Sequence, residues 1–317
     1  MIEVFTLALP FFLLIFIGYI SGRLGRHPKD GLSWMNFFVV YLALPALLFQ
    51  MVAQTPLDKL ASFDFVAATT AATYCAFTLA FFVGVLASSG RMADATIQAL
   101  VGSYSNIGFM GPGVTLAVLG EQAAVPTALI LCFDTILLFV LVPLLMSISG
   151  NRQQSLLQVL VLITVKIGTH PFIISVAAGV LVAALKLSLP TFLDETLSLL
   201  RNAAAPCALF AMGITVALQK GERFTAEIPL LLLMKLFLHP ALVYLLLSFV
   251  GGVDPVWLAA AVLMASLPPA ANVYIMAQHY QAYERRASSA VLIGTLVSVI
   301  SVPLMIYLVN TYILPGS

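Results

Sequence analysis

Apolar runs long enough to cross a membrane recur along the whole chain, and they constrain the fold more than any single motif. A helix needs about 20 apolar residues to cross the hydrocarbon core of a bilayer. Runs of that kind are read at about 4–22, 33–53, 64–88, 95–118, 124–147, 171–188, 194–218, 228–250, 255–280 and 287–311. In lipid each backbone N–H and C=O must find its partner within the protein, so such a chain folds as an all-α polytopic bundle. The composition agrees, with 62% hydrophobic residues, 9% charged residues and a mean hydropathy of +1.08; a soluble domain carries about 25% charged residues. A formal net charge of +1 gives no basic surface for nucleic acid. Cys75, Cys132 and Cys207 lie far apart within apolar runs, without metal-ligand or disulfide spacing, so neither a metal nor a cofactor is expected. The N-terminus carries Glu3 and no basic leader, and reads as a first span rather than a cleaved signal.

The ten runs divide as 1–150, a first set of five spans, and 171–317, a second set of five. Between them, 151–170 reads as a cytoplasmic or interfacial helical linker, with an additional span as the alternative. Basic residues give the orientation, because cytoplasmic loops are enriched in Lys and Arg. One side carries Arg23, Arg26, Lys29, Arg91, Arg152, Lys220, Arg223, Arg285 and Arg286, and the other Lys59, Lys186 and Arg201. The first side is therefore expected to be cytoplasmic, with both termini extracytoplasmic.

The chain repeats itself at an offset of 161 residues: Pro10, Phe11 and Gly18 match Pro171, Phe172 and Gly179, and Pro45, Phe49 and Met51 match Pro206, Phe210 and Met212. Matches in Pro and Gly carry weight because these residues fix backbone geometry. Each half holds an odd number of spans, so the second copy enters the membrane inverted, an arrangement typical of secondary transporters.

Both halves break a helix at the equivalent place. "SYSNIGFMGPG" (Ser103–Gly113) puts Gly108, Gly111, Pro112 and Gly113 into the fourth span, and "MASLPPAANVY" (Met264–Tyr274) puts Pro268 and Pro269 into the ninth. Each break carries an amide, Asn106 or Asn272. Pro112 and Pro269 suit the first turn of a helix restarting after each break. The positive ends of the two restarted helices would converge near the midplane and favour an anion. Asn106 and Asn272 could donate to its carboxylate without burying a charge.

Three ionisable residues lie deep in spans: Asp134, Lys235 and His239. At that depth they are costly unless paired or hydrated, and they are candidates for coupling to H+ or Na+. Lys235 and His239, one turn apart, can share a helix face, and Asp134 could pair with Lys235. Gln50, Tyr41 and Tyr104 are candidate cavity liners, and Arg201 reads as a side chain snorkelling to the membrane surface. No phosphate-binding loop is present, so ATP-driven transport by this chain alone is not expected.

Together "LALPALLF" (Leu42–Phe49), "SNIGFMGPG" (Ser105–Gly113), "KLFLHP" (Lys235–Pro240) and "SLPPAANVYIMAQHY" (Ser266–Tyr280) give a chain that resembles the auxin efflux carrier family, which includes plant auxin carriers and bacterial malonate-type permeases. The resemblance implies two inverted five-helix repeats, as in sodium/proton antiporters and bile-acid transporters, with the broken fourth and ninth helices crossing at the substrate site. Helices 1, 2, 6 and 7 would form a scaffold, often a homodimer interface, and the other six a moving transport domain. The crossover role falls on Asn106, Gly108, Pro112, Pro268, Pro269 and Asn272. The chain lacks the long hydrophilic loop of the plant carriers, and its second break is "PPAAN", so a small bacterial carboxylate fits better than auxin. The expectation is a secondary transporter of small organic anions in the inner (plasma) membrane. The alternative is an anion channel or membrane-embedded sensor of the same fold. An enzyme is not expected, because His, Asp and Glu do not cluster.

Overall fold

The computed structural model describes residues 2–25, 29–56, 62–150, 156–218 and 225–314. Among these residues the regular structure is all helix, apart from one antiparallel bridge between Ser105 and Pro269. The first half runs α1 (Ile2–Leu24), α2 (Lys29–Phe38), a π-helical turn at Val39–Ala43, α3 (Leu44–Ala53), α4 (Phe63–Ala87), α5 (Met92–Ser103), α6 (Gly111–Leu119) and α7 (Ala124–Ile148). The second runs α8 (Leu156–Gly168), α9 (Pro171–Ala184), α10 (Thr191–Leu218), α11 (Glu227–Leu233), a π-helical turn at Met234–Leu238, α12 (His239–Val250), α13 (Pro255–Ser266), α14 (Ala271–Tyr280) and α15 (Glu284–Tyr312). The basic flanks Arg26, Lys59, Arg152, Lys220 and Arg223 lie outside the described residues.

Six of the described helices are continuous, long and apolar enough to cross a membrane. The runs at 95–118 and 255–280 are divided at the Gly- and Pro-rich breaks, and each half falls short of a span. The linker does hold a helix, α8, and its Leu160–Gly168 part meets α9 at a bend of 53°. Proline sets that corner: Pro171 opens α9, and His170 Nδ1 accepts from the Phe172 N–H at 3.3 Å. Helix α9 stops at Ala184, short of the expected 188. Lys186 takes a left-handed φ of 50°, and the Leu187 N–H returns to the Val182 carbonyl at 3.1 Å, closing the helix end.

Small residues set the closest approaches. Ala68, Ala72, Ala76, Ala80 and Gly84 recur every four residues along α4 and are buried. A Cβ at Gly84 would lie 2.9 Å from the Ala95 Cα, and one at Gly102 2.5 Å from the Ala80 Cβ, so α4 and α5 pack nearly backbone to backbone. Helices α1 and α10 meet the same way: Gly18 faces the Phe210 carbonyl, and Gly213 faces the Ile15 carbonyl. On α9, Gly179 faces the Phe49 carbonyl of α3, 2.9 Å from where its Cβ would stand. The two contacts correspond: Gly18 and Gly179 are 161 residues apart, as are Phe49 and Phe210.

Phe16, Phe82, Leu86 and Ile300 are exposed, while Gln50, Thr73, Asn106, Asp134, Lys235 and His239 are buried. This inversion of the soluble pattern is what a lipid-facing bundle with a polar interior requires.

Candidate functional site

The breaks are built from backbone. After α5 the chain turns extended at Tyr104 (φ −83°, ψ 108°), and after α13 at Leu267 (φ −64°, ψ 152°). The two extended stretches then pair with each other. The Asn106 N–H donates to the Pro268 carbonyl at 2.8 Å, and the Ala270 N–H donates to the Tyr104 carbonyl at 3.2 Å. Each break thus satisfies groups freed by the other, which lipid could not do. Proline fits at 268 and 269 because it withholds N–H groups while its carbonyl still accepts. Pro112 does sit in the first turn of α6. Pro269 does not open a helix: it lies in the bridge opposite Ser105, and α14 starts at Ala271 with Asn272 in its first turn. At the first break the chain folds into a tight turn, with the Met110 and Gly111 N–H groups on the carbonyls of Asn106 and Ile107 at 3.1 Å. These donors are spent locally, contrary to the free N–H groups expected there.

A cavity of 390 Å³ opens beside this crossing, within the size range of small-molecule sites. Tyr104, Asn106, Gly108 and Asn272 line it, with Tyr41 from the first π-helical turn. Lys166 of α8 and His170 at the bend reach its wall, and no acidic side chain among the described residues does. Asn106 is 1% exposed; its Nδ2 meets Met212 Sδ of α10 at 2.9 Å, and its Oδ1 has no partner. A buried amide so poorly satisfied is costly. Asn272 is half-buried. Gly108 needs no glycine for packing, since a Cβ there would meet nothing within 4 Å.

Behind the crossing the three ionisable residues form one buried chain. Lys235 Nζ donates to the Ala265 carbonyl in the last turn of α13, a natural place for a cation. Ser105 Oγ donates to the same oxygen at 3.4 Å. Lys235 Nζ also lies 3.3 Å from His239 Nδ1, His239 Nε2 lies 3.1 Å from Thr73 Oγ1, and Thr73 Oγ1 lies 3.2 Å from Asp134 Oδ1. With Lys235 and Asp134 charged, one proton order satisfies all three contacts. The ammonium donates to Nδ1, Nε2–H donates to Thr73, and the hydroxyl donates to the carboxylate. Asp134 and Lys235 are thus joined through two intermediaries rather than as an ion pair. The π-helical turn Met234–Leu238 carries Lys235, an irregularity often found at functional sites.

A second cavity, of 530 Å³, approaches the crossing from another side and shares Leu44, Gly108 and Phe109 with the first. Gly111 lines neither; it packs against Met264 of α13. Arg201 lines the second cavity and pairs with Glu121 instead of snorkelling. Gln50 stands apart from both cavities. Its Nε2 donates to Asp194 Oδ1 at 2.9 Å and to Ser198 Oγ at 3.0 Å, tying α3 to α10. Sequence reasoning missed Thr73, Lys166, His170 and Glu121. A threonine in a span usually bonds back to its own helix, as Thr73 also does to Thr69, so its type gave no signal. The other three depend on how distant segments fold against the crossing.

The architecture defines a class: a multi-pass helical membrane protein with an interior cavity beside paired helix breaks. The chain belongs to the auxin efflux carrier family, the profile described as "Membrane transport protein" matching residues 3–306. It is 46% identical to a protein named "Putative malonate transporter" from Rhizobium meliloti (strain 1021), over 100% of this chain and 99% of that one. It is 27% identical to the "Uncharacterized transporter YfdV" of Escherichia coli (strain K12), over 94% of this chain and 95% of the relative. With "Auxin efflux carrier component 5" of Arabidopsis thaliana it shares 30% identity, over 47% of this chain and 46% of that protein.

Proposed function

We propose that this membrane transporter is a secondary carrier of small carboxylates, malonate among them, with the substrate held where the two breaks pair. One observation carries the reading: the paired breaks border a cavity that holds two amides and the Lys166 ammonium and no carboxylate among the described residues. The name of the relative from Rhizobium meliloti points to the same substrate class. Asn106 and Asn272 bind the carboxylate, and the N-terminal end of α14 adds favourable potential.

The ten-span, inverted-repeat architecture belongs to this proposal. The reciprocal contacts of Gly18 with Phe210 and of Gly179 with Phe49 support it. In this reading α1, α2–α3, α9 and α10 form a scaffold, which also serves a homodimer. The remaining helices carry the substrate across the inner membrane, and both termini are extracytoplasmic. Coupling to H+ or Na+ acts at Asp134. A protonated Asp134 can donate to Thr73, which reverses the chain of hydrogen bonds and turns a His239 N–H toward the Lys235 ammonium. Lys235 then loses His239 as an acceptor, and the change reaches the crossing through its remaining bond to the Ala265 carbonyl.

Counterflow of labelled malonate in liposomes, at two pH values with and without sodium, tests the reading. Wild type is expected to saturate, and Asn106→Ala and Asn272→Ala each to lose about 10- to 100-fold in uptake, the worth of a hydrogen bond to a charged group. Uptake by both variants at the wild-type rate overturns the crossover site. Flux that never saturates and shows no counterflow favours a channel.

A further inference from the structure

We infer that Arg201 is a second carboxylate site, in the second cavity, and that Glu121 occupies it in this structure until an incoming substrate carboxylate takes its place. The inference rests on the carboxylate-transporter reading. Arg201 projects from α10 into the 530 Å³ cavity together with Asn202, Gly108, Phe109 and Pro112. Its side chain is 16% exposed, whereas that of its partner Glu121 is 74% exposed. A largely buried guanidinium is strongly disfavoured without an anion, and the anion it has is free to leave for water.

The pairing is also incomplete. Arg201 Nη2 makes both contacts to Glu121, and among the described residues Nη1 and Nε make none. A guanidinium prefers to grip a carboxylate through two parallel donors, so a freely diffusing carboxylate can reach a better geometry than one tethered at residue 121. The first cavity supplies the contrast. Its basic residue, Lys166, has no carboxylate partner among the described residues. Each cavity therefore offers one cation to an anion on its way to the shared wall at Gly108 and Phe109. Only one of the two cations is held by a residue of the chain.

Location gives the exchange a consequence. Glu121 lies in the short helical turn between α6 and α7, and Arg201 lies on α10, which packs through Gly213 against α1. In the proposed division these are the moving part and the scaffold. The ion pair is then a latch across the sliding surface, and a substrate that takes Arg201 opens it.

Malonate counterflow kinetics of Glu121→Gln, Arg201→Gln and the double variant in liposomes test this, with Arg201→Lys as the conservative control. Glu121→Gln is expected to lower KM about fivefold, and Arg201→Gln to raise it about tenfold, the loss of one charge-assisted contact. Because Glu121 acts through Arg201, the double variant is expected to match Arg201→Gln, and Arg201→Lys to recover part of the loss. If Arg201→Gln does not fold, Glu121→Gln decides, since its side chain is exposed. Wild type that shows counterflow while Glu121→Gln leaves KM unchanged or raises it overturns this inference alone. Wild type without malonate counterflow overturns the parent reading and this one with it.

Discussion

Two glycine-containing regions of this bundle are built on opposite principles. Where α1 meets α10, Gly18 and Gly213 stand against carbonyls of the facing helix, and no side chain fits between. At the crossing, Gly108 faces open space and borders both cavities. The first region is dry and uses missing side chains to bring backbones together. The second is irregular and hollow, and each of its two breaks pairs backbone groups that the other frees. A membrane bundle thus separates the surface that fixes helix positions from the place where it tolerates broken helices.

That contrast predicts a ranking of substitutions by their effect on folding. The largest effect is expected at Gly213→Leu, which forces a side chain onto the backbone of α1. The cost should be about 3 kcal/mol or more, and fluorescence-detected size exclusion should show loss of the monodisperse protein. A wild-type profile would break the comparison. Lys235→Met comes next. It keeps the length of the side chain but removes the donor to the Ala265 carbonyl and to His239. A loss of about 1–3 kcal/mol is expected from the unpaired buried groups, read as a lower melting temperature in detergent, together with loss of malonate counterflow. Retained counterflow would detach the buried chain from the transport cycle. The smallest effect on folding is expected at Gly108, where an added side chain enters the cavity and displaces nothing.

The sequence made the positions of both breaks legible, because Pro and Gly act on the backbone locally. Several such residues within "GFMGPG" and "PPAAN" weaken a continuing helix whatever surrounds it. Their partnership was legible through the repeat offset, and the bridge from Ser105 to Pro269 is its physical form. The partners of individual side chains were not legible. Arg201 read as a snorkelling residue because its type and depth suited one, and only the fold brings the turn at Glu121 to it. Gln50 read as a cavity liner because a buried amide in a span needs a polar surrounding; it found one in Asp194 and Ser198 instead. Pro269 read as the start of a helix because proline favours that place, but the bridge exploits a different property, its lack of an N–H.

The central claim is that the wall at Gly108 lies at the carboxylate site and is reached from both sides in turn. A single cysteine, Gly108→Cys in a chain whose Cys75, Cys132 and Cys207 are replaced by alanine, tests it directly. In sealed membranes of known orientation, a membrane-impermeant thiol reagent is expected to label position 108 from either side, and saturating malonate is expected to slow the labelling. Labelling from one side only, or labelling indifferent to malonate, would contradict the account.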